Sequence, residues 1–412
     1  MKVFLLFAAF AGALVPTAWS LAAPVTGADD VAAPPVLQPA RPAPRNTVRT
    51  ATVQAPVPPE IPVALLVDLS SHQILFAREA GRRFMPASVT KVMTAYTAFK
   101  LLGERKLVET ARVPISKSLE EDWSGEGSSM FLKEGQQPTV AQLIMGSTTV
   151  SGNDATVALA IATTGSVAGW TALMNANAAE LGMRESYFYS PNGYPDGGRT
   201  FTTAHDLALL AEATVFRYPQ YYRRYFGRRT MSWGGYTQTN HDPITGRVDG
   251  ADGLKTGFTN EAGYTFVGSA ERDGRRLVLV LAGAPSGSVR DKAARDLVEW
   301  GFTRFASQPL FAAGTLVGEA QVQDGMAASV MLRAPATGIA AAIPTGRGAQ
   351  PTLSIRYRGP LEAPIDEGEA VAHLRVETPG FEPVDIPLEA AEPVDRANAW
   401  YRLVNGLYGL FG

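Results

Sequence analysis

The chain has 412 residues, 46% of them hydrophobic, and a formal net charge of -2. That length accommodates two or three domains, and that charge excludes bulk attraction to nucleic acid. There is no cysteine, which excludes a disulfide framework and a thiolate metal site, and the four histidines, His72, His205, His241 and His373, are scattered without ligand spacing, so no metal or other cofactor is expected.

In chain order, Lys2 is followed by an apolar run over residues 3–15 and then by Ala18, Ser20, Ala22 and Ala23. A basic start, a short apolar stretch and a small-residue site predict a secretory signal peptide over residues 1–23. The run falls short of the roughly 20 apolar residues that span a bilayer. Residues 24–61 carry Pro34, Pro35, Pro39, Pro42, Pro44, Pro56, Pro58 and Pro59. Proline lacks an amide N–H and fixes φ, so this stretch is expected to be an extended or disordered spacer. Arg41, Arg45 and Arg49 read as its solubilising charges.

Order is expected from Val63. The apolar run over residues 63–69, the pair Ser70-Ser71 and then Ile74, Leu75 and Phe76 predict a β-hairpin. Residues 88–102 read as a helix. A longer helical region follows Thr139, with Ala155, Ala158, Ala160 and Ala162 suited to close packing, and residues 207–225 also read as helical. Residues 264–282 return to strand character around an Asp273-Gly274 turn. Sheet ends flanking a helical middle predict one α/β (α+β) unit over residues 62–309. Short β-like runs between Gly/Pro turns then predict a small all-β domain over residues 310–392.

Residues 393–412 are expected to form an amphipathic helix lying on a membrane surface. Ala397, Trp400, Tyr401, Val404, Leu407, Tyr408 and Phe411 fall at three- and four-residue steps, with Asp395, Arg396, Asn398, Arg402 and Asn405 on the other side.

Three motifs carry chemistry: Ser88-Val89-Thr90-Lys91, Ser151-Gly152-Asn153 and Lys255-Thr256-Gly257. Each is weak alone; their order and spacing together describe one site. A serine hydroxyl needs a base, and an i,i+3 pair on a helix places Ser88 and Lys91 in contact. A lysine base must be neutral, which burial and a second cation promote; Lys255 is the natural second cation. Ser88 at a helix start leaves its own N–H available to an oxyanion. Phe258, after the third motif, would offer a second such donor. The Ser151 hydroxyl suits proton transfer between Lys91 and a leaving amine. The Asn153 amide suits holding a substrate peptide group and restraining Lys91. Gly257 on a strand is expected to let substrate backbone lie against the strand edge. A phosphate-loop reading of Gly253-Leu254-Lys255-Thr256 fails, because no glycine directly precedes the lysine.

These motifs, with Phe84-Met85-Pro86-Ala87, Asp154-Ala155, Asp252-Gly253-Leu254, Phe258-Thr259, Ala262-Gly263-Tyr264 and Ala363-Pro364-Ile365 with Gly368, resemble the low-molecular-mass penicillin-binding proteins, serine D-alanyl-D-alanine carboxypeptidases. The resemblance covers residues 63–412. It implies a β-lactamase-like catalytic domain of antiparallel sheet and helices, a small β domain and a C-terminal membrane-anchor helix. It implies that Ser88 is acylated during removal of the terminal D-alanine from peptidoglycan stem pentapeptides, that β-lactams trap the same serine, and that the protein is periplasmic and peripherally attached to the inner membrane. Lys91 is then the base, Ser151 and Asn153 assist, and Lys255 and Thr256 bind the substrate carboxylate side with Thr259 and Arg290.

The chain departs from the family at His205, where similar proteins carry arginine, and at Gly146-Ser147-Thr148-Thr149, which is unusually polar. A class A β-lactamase would need a deacylating glutamate between the second and third motifs, and Glu180, Glu185 and Glu212 lack its pattern. A non-catalytic envelope-binding module would tolerate loss of Ser88 or Lys91, and both are present. An endopeptidase or esterase on the same scaffold stays open.

Overall fold

Strand β1 (Val63–Asp68) is buried almost throughout, and its successive residues enter two different cores. Val63 and Leu65 join a cluster with Val92, Phe99, Leu143 and Leu210, while Ala64 and Leu66 join one with Ala293, Leu297 and Trp300. Side chains alternate across a strand, so a strand apolar on both faces needs cover on both sides. The computed structural model, which describes residues 54–346 and 350–398, shows that cover.

The hairpin partner β2 (Gln73–Arg78) leads to a 3-10 turn at Ala87–Thr90 and then α1 (Lys91–Gly103). Next come α2 (Lys117–Trp123), α3 (Val140–Thr149), α4 (Asn153–Thr164), α5 (Val167–Glu180), α6 (Ala204–Arg217) and α7 (Pro219–Tyr225). A small hairpin, β3 (Thr230–Trp233) and β4 (Tyr236–Thr239), precedes β5 (Ala251–Thr259), β6 (Gly263–Arg272) and β7 (Arg275–Ala284), and α8 (Gly287–Arg304) follows. The sheet order is β2-β1-β7-β6-β5, antiparallel throughout. The first hairpin therefore closes onto the last strand, and α8 covers the face opposite the helical middle. Strand β5 is left at the edge, beside the turn that opens α1.

The predicted hairpin and the strands around Asp273-Gly274 appear where expected, both turn residues having positive φ. The helix expected over residues 88–102 begins instead as a 3-10 turn. The long helical region after Thr139 breaks at Val150-Ser151-Gly152 into α3 and α4. Helix α8 was not among the predicted elements, because Arg290, Asp291, Lys292, Arg295 and Asp296 break up its apolar pattern; its buried side is Arg290, Ala293, Ala294, Leu297, Val298, Trp300 and Gly301.

The region after α8 is all β: β8 (Phe305–Phe311), β9 (Leu316–Gln323), β10 (Ser329–Arg333), β11 (Ile339–Pro344), β12 (Thr352–Arg356), β13 (Leu361–Glu362), β14 (Ala370–Glu377) and β15 (Val384–Ala390). Six strands form a sheet in the order β12-β14-β15-β10-β9-β13, and β8 pairs with β11. Alternate residues such as Val330 and Leu332, and Leu374 and Val376, fill its core. Gln73 ties the two regions together: its amide donates to Thr378 Oγ1 at 3.1 Å and accepts from the Ala342 N–H.

Two expectations are corrected at the ends. Residues 54–61 are not a free spacer: Ala55, Val57 and Ile61 are buried, and the Arg78 guanidinium donates to the carbonyls of Pro58 at 2.6 Å, Ile61 at 2.9 Å and Val57 at 3.0 Å. Proline removes amide donors that would otherwise pair with backbone carbonyls, and an arginine fork supplies donors to these three. Likewise Val394 pairs with Ile365, Arg396 bridges to Gly325, and Val394 and Ala397 are buried, so residues 394–397 belong to the β domain and not to a helix. The signal peptide, the spacer up to residue 53 and the amphipathic segment from residue 399 lie outside the described residues.

Candidate active site

The turn before α1 carries Ser88 beside Lys91, the first residue of the helix, with Lys91 Nζ 3.0 Å from Ser88 Oγ. Lys91 is fully buried and also donates to Asn153 Oδ1 at 2.8 Å and to the Asn192 carbonyl at 2.7 Å. The Asn153 amide has its orientation set by its own donation from Nδ2 to the Glu126 carbonyl at 3.0 Å. Two obligate acceptors therefore consume two N–H groups. A neutral amine then has only its lone pair left for the third direction, which faces the Ser88 hydroxyl. Burial holds the Lys91 pKa well below its ordinary value, with the Lys255 charge second and Asp154 opposing.

The break between α3 and α4 presents the second motif. Ser151 has φ 63°, a left-handed conformation that costs a serine roughly 1–3 kcal/mol. It and Asn153 are buried against the cleft. The next residue, Asp154, is fully buried and accepts from Ser129 Oγ at 2.7 Å, Met130 N at 2.8 Å and Leu132 N at 2.9 Å. It clamps the segment whose neighbours Gly127 and Ser128 form one cleft wall. The polar run before the motif is satisfied within the helix packing: Ser147 bonds Thr156 at 2.9 Å, and Thr148 donates to the Tyr225 carbonyl at 2.8 Å. His205 is exposed in the first turn of α6, away from the cleft.

Strand β5 carries the third motif. Its start is pinned by Asp252, which accepts from the Tyr222 hydroxyl at 2.7 Å and from Arg276 Nη1 at 2.9 Å. Lys255 is buried and donates to the Thr256 carbonyl at 2.9 Å. Burial lowers its pKa to about 7, with Arg290 adding to the effect and Asp242 opposing it.

Gly257 has a second reason to be glycine, one within the protein itself. A Cβ there would sit 2.4 Å from Thr265 Oγ1, 2.6 Å from the Pro86 carbonyl and 3.1 Å from Ser88 N. The glycine is required so that β5 can lie on the protein's own Ser88 turn. Gly193 does the same from the other side: at φ 70°, its Cβ would fall 1.8 Å from the Ala87 carbonyl. Gly257→Ala is expected to shift Ser88 and to slow acylation by penicillin about 10²-fold, the scale of an ångström misplacement. Stopped-flow labelling checks this, alongside the thermal midpoint; an unchanged acylation rate would show that the contact does not position the serine.

Ser88, Ser151, Asn153, Thr256, Gly257, Phe258, Thr259 and Arg290 all line one cleft of about 590 Å³, with Lys91 and Lys255 buried behind it. Phe258 is 49% exposed, and its ring lies 4.2 Å from that of Tyr264. Thr259 Oγ1 accepts from Ala262 N at 3.0 Å. Arg290 is held by Asp291 at 2.7 Å and by the Thr265 carbonyl at 3.3 Å.

Sequence reasoning missed His241, Asn192 and Tyr194. His241 lines the cleft, and its pKa is lowered by burial first and then by Lys255 and Arg290. Tyr194 lines the cleft and donates to Glu126 Oε1 at 2.6 Å. None lies in a motif; each arrives through a loop whose path the motifs do not specify.

A family model described as D-alanyl-D-alanine carboxypeptidase matches residues 50–286, and one described as penicillin-binding protein 5, C-terminal domain, matches residues 305–396. The D-alanyl-D-alanine carboxypeptidase DacD of Salmonella typhimurium is 31% identical over 361 residues, covering 85% of this chain and 90% of its own. The crystal structure of penicillin-binding protein 5 from Haemophilus influenzae superposes with TM-score 0.71 at 29% identity, covering 82% of this chain and 99% of that one. Penicillin-binding protein D2 from Listeria monocytogenes, in its ampicillin-bound form, gives TM-score 0.54 at 27% identity over 59% of this chain and 98% of that one.

Proposed function

The chain belongs to the D-alanyl-D-alanine carboxypeptidase family, and from that premise we propose that Ser88 is the residue acylated as it removes the terminal D-alanine of a peptidoglycan stem peptide. The observation that carries the assignment is the 3.0 Å contact between Ser88 Oγ and a buried lysine whose other two partners are acceptors.

Neutral Lys91 takes the Ser88 proton as Oγ attacks the carbonyl of the penultimate residue. The backbone N–H groups of Ser88 and Phe258 receive the oxyanion, each worth about 3 kcal/mol in such sites. The proton passes through the Ser151 hydroxyl to the leaving amine, and free D-alanine departs. Asn153 holds the acyl-side amide. Thr256, Thr259, Arg290 and the Lys255 charge receive the terminal carboxylate. Water then hydrolyses the ester on Ser88. A β-lactam ring presents the same amide to the same oxygen and leaves an adduct there. Two measurements test this together: D-alanine release from a stem pentapeptide, and intact mass after penicillin treatment. A protein that does neither is not the enzyme proposed.

We also propose that the chain is exported and held at the periplasmic surface of the inner membrane by its C-terminal segment. The N-terminal run over residues 3–15 supports export. Trp400, Tyr401, Val404, Leu407, Tyr408 and Phe411 support attachment through buried apolar area, since only Arg396 and Arg402 are basic. Because residues 394–397 are already tied into the β domain, the deletion that isolates the anchor is residues 399–412. It is expected to release the protein to the soluble fraction, whereas added salt releases little of the intact chain. Full membrane retention of the truncated protein would exclude this anchor.

A further inference from the structure

The two acceptors that hold Lys91 come from separate parts of the chain, Asn153 at the start of α4 and Asn192 in the loop before α6. Asn153 is seated on residues 126–128. Its Nδ2 donates to the Glu126 carbonyl at 3.0 Å, and its backbone N–H donates to the Ser128 carbonyl at 2.8 Å. Gly127 lies so close that a Cβ there would fall 3.0 Å from Asn153 Nδ2. The seat has little burial of its own. Leu119 is buried before it and Ser129 after it, but no side chain from Glu120 to Ser128 is buried. Apolar burial therefore does not fix where the Glu126 carbonyl lies, and polar contacts must.

The Asn192 loop supplies one. Asn192 Oδ1 accepts from the Tyr194 N–H at 3.1 Å, so the carbonyl that receives Lys91 and the Tyr194 side chain ride on one tight turn. The Tyr194 hydroxyl reaches over to Glu126 and donates to its Oε1 at 2.6 Å, and its ring meets that of Trp123 edge to face at 5.4 Å. The Glu126 hydrogen bond pushes the Tyr194 phenol above its usual pKa, so the hydroxyl keeps its proton. These contacts close a ring that runs from Lys91 to Asn153, Glu126, Tyr194, Asn192 and back to Lys91. The two acceptors of the lysine are thus tied to each other away from the lysine itself.

We propose that Tyr194 is a positioning residue for the base: through Glu126 it fixes the seat of Asn153, and with it the direction in which the Lys91 lone pair meets Ser88. The inference rests on Lys91 acting as the base of the proposed carboxypeptidase reaction. Tyr194 lies in none of the three motifs, and this role needs no contact with the reacting atoms.

The test follows penicillin acylation by stopped flow over a range of concentrations, which separates the acylation rate constant from the dissociation constant of the first complex. Tyr194→Phe keeps the ring against Trp123 and removes the hydroxyl. It is expected to lower the acylation rate constant about fivefold, the scale of one net hydrogen bond, and to leave the dissociation constant within about twofold. Glu126→Ala is expected to match it. Glu126→Gln retains an acceptor oxygen and is expected to stay within about twofold of the parent. The double variant Tyr194→Phe/Glu126→Ala is expected to be no slower than either single one, because both cut the same path. In each variant, kcat/KM for D-alanine release from a stem pentapeptide is expected to follow the same order.

A parent rate in Tyr194→Phe would overturn the proposal. A loss confined to the dissociation constant would make Tyr194 a ligand contact and overturn it too. Losses that multiply in the double variant, or a Glu126→Gln as slow as Tyr194→Phe, would show that the hydroxyl does not act through Glu126. If Glu126→Ala fails to fold, Tyr194→Phe against Glu126→Gln still decides. A parent chain that takes no label on Ser88 would remove the carboxypeptidase reading and this inference with it, whereas a labelled parent with an unaffected Tyr194→Phe would remove this inference alone.

Discussion

Ser88→Ala abolishes covalent labelling by a fluorescent penicillin: intact mass shows no adduct, and D-alanine release falls to background. The reason is specific to the geometry. Ser151 and Thr256 also bring motif hydroxyls to the cleft, but Lys91 Nζ lies 3.0 Å from Ser88 Oγ, and its N–H groups go to Asn153 Oδ1 and the Asn192 carbonyl. Removing one oxygen therefore leaves no activated nucleophile. The substitution is not expected to unfold the protein. Ser88 sits in a short turn, and the neighbouring Val89 and Val92 hold that turn in the core. Labelling that persists in the alanine variant at the parent rate would place the acylated residue elsewhere.

Lys91→Arg lowers acylation by about 10²–10⁴-fold, the span of a lost general base, although charge is conserved. A guanidinium stays protonated and cannot accept the serine proton. The pH profile gives the same assignment independently. A base acts unprotonated, so kcat/KM rises as pH climbs through the Lys91 pKa, which burial, and after it the Lys255 charge, holds well below the ordinary lysine value. A carboxylate clamp acts protonated, so kcat/KM falls as pH climbs through the pKa of Lys255, lowered to about 7. Since kcat/KM reports on free enzyme, titration of Lys255 contributes a descending limb near neutrality. Lys255→Arg should remove that limb, because its charge no longer titrates. A profile that rises without a fall to pH 9, unchanged in Lys255→Arg, would separate Lys255 from carboxylate binding. Near-normal turnover by Lys91→Arg would remove Lys91 as the base.

The pH argument shows where sequence and structure part. From residues alone, Lys91 was expected to be neutral as the base, with Lys255 as the second cation that promotes this. Burial at the junction of α1, the Asn153 turn and the loop carrying Asn192 sets how far its pKa falls, and burial is not written in a local motif.

What the sequence determined by itself was the set of reacting groups and the local elements that carry them. Ser88 and Lys91 at i and i+3, Ser151-Gly152-Asn153 in a turn and Lys255-Thr256-Gly257 on a strand follow from spacing, helix periodicity and turn chemistry, all of which act over a few residues. The flanking hairpin and the β6–β7 strands were equally local, set by alternation and by Asp273-Gly274. Tertiary structure alone decided the rest. Pairing of β1 with β7 joins residues some two hundred positions apart, and the edge position of β5 follows from that order. Only there does Gly257 meet Ser88, and only there do His241, Tyr194 and Arg290 reach one cleft. Residues 54–61 and 394–397 read locally as a spacer and a helix because proline content and helical spacing are local signals. Docking against Arg78 and pairing with Ile365 overrode both, since the hydrogen bonds and burial they gain come from distant parts of the chain.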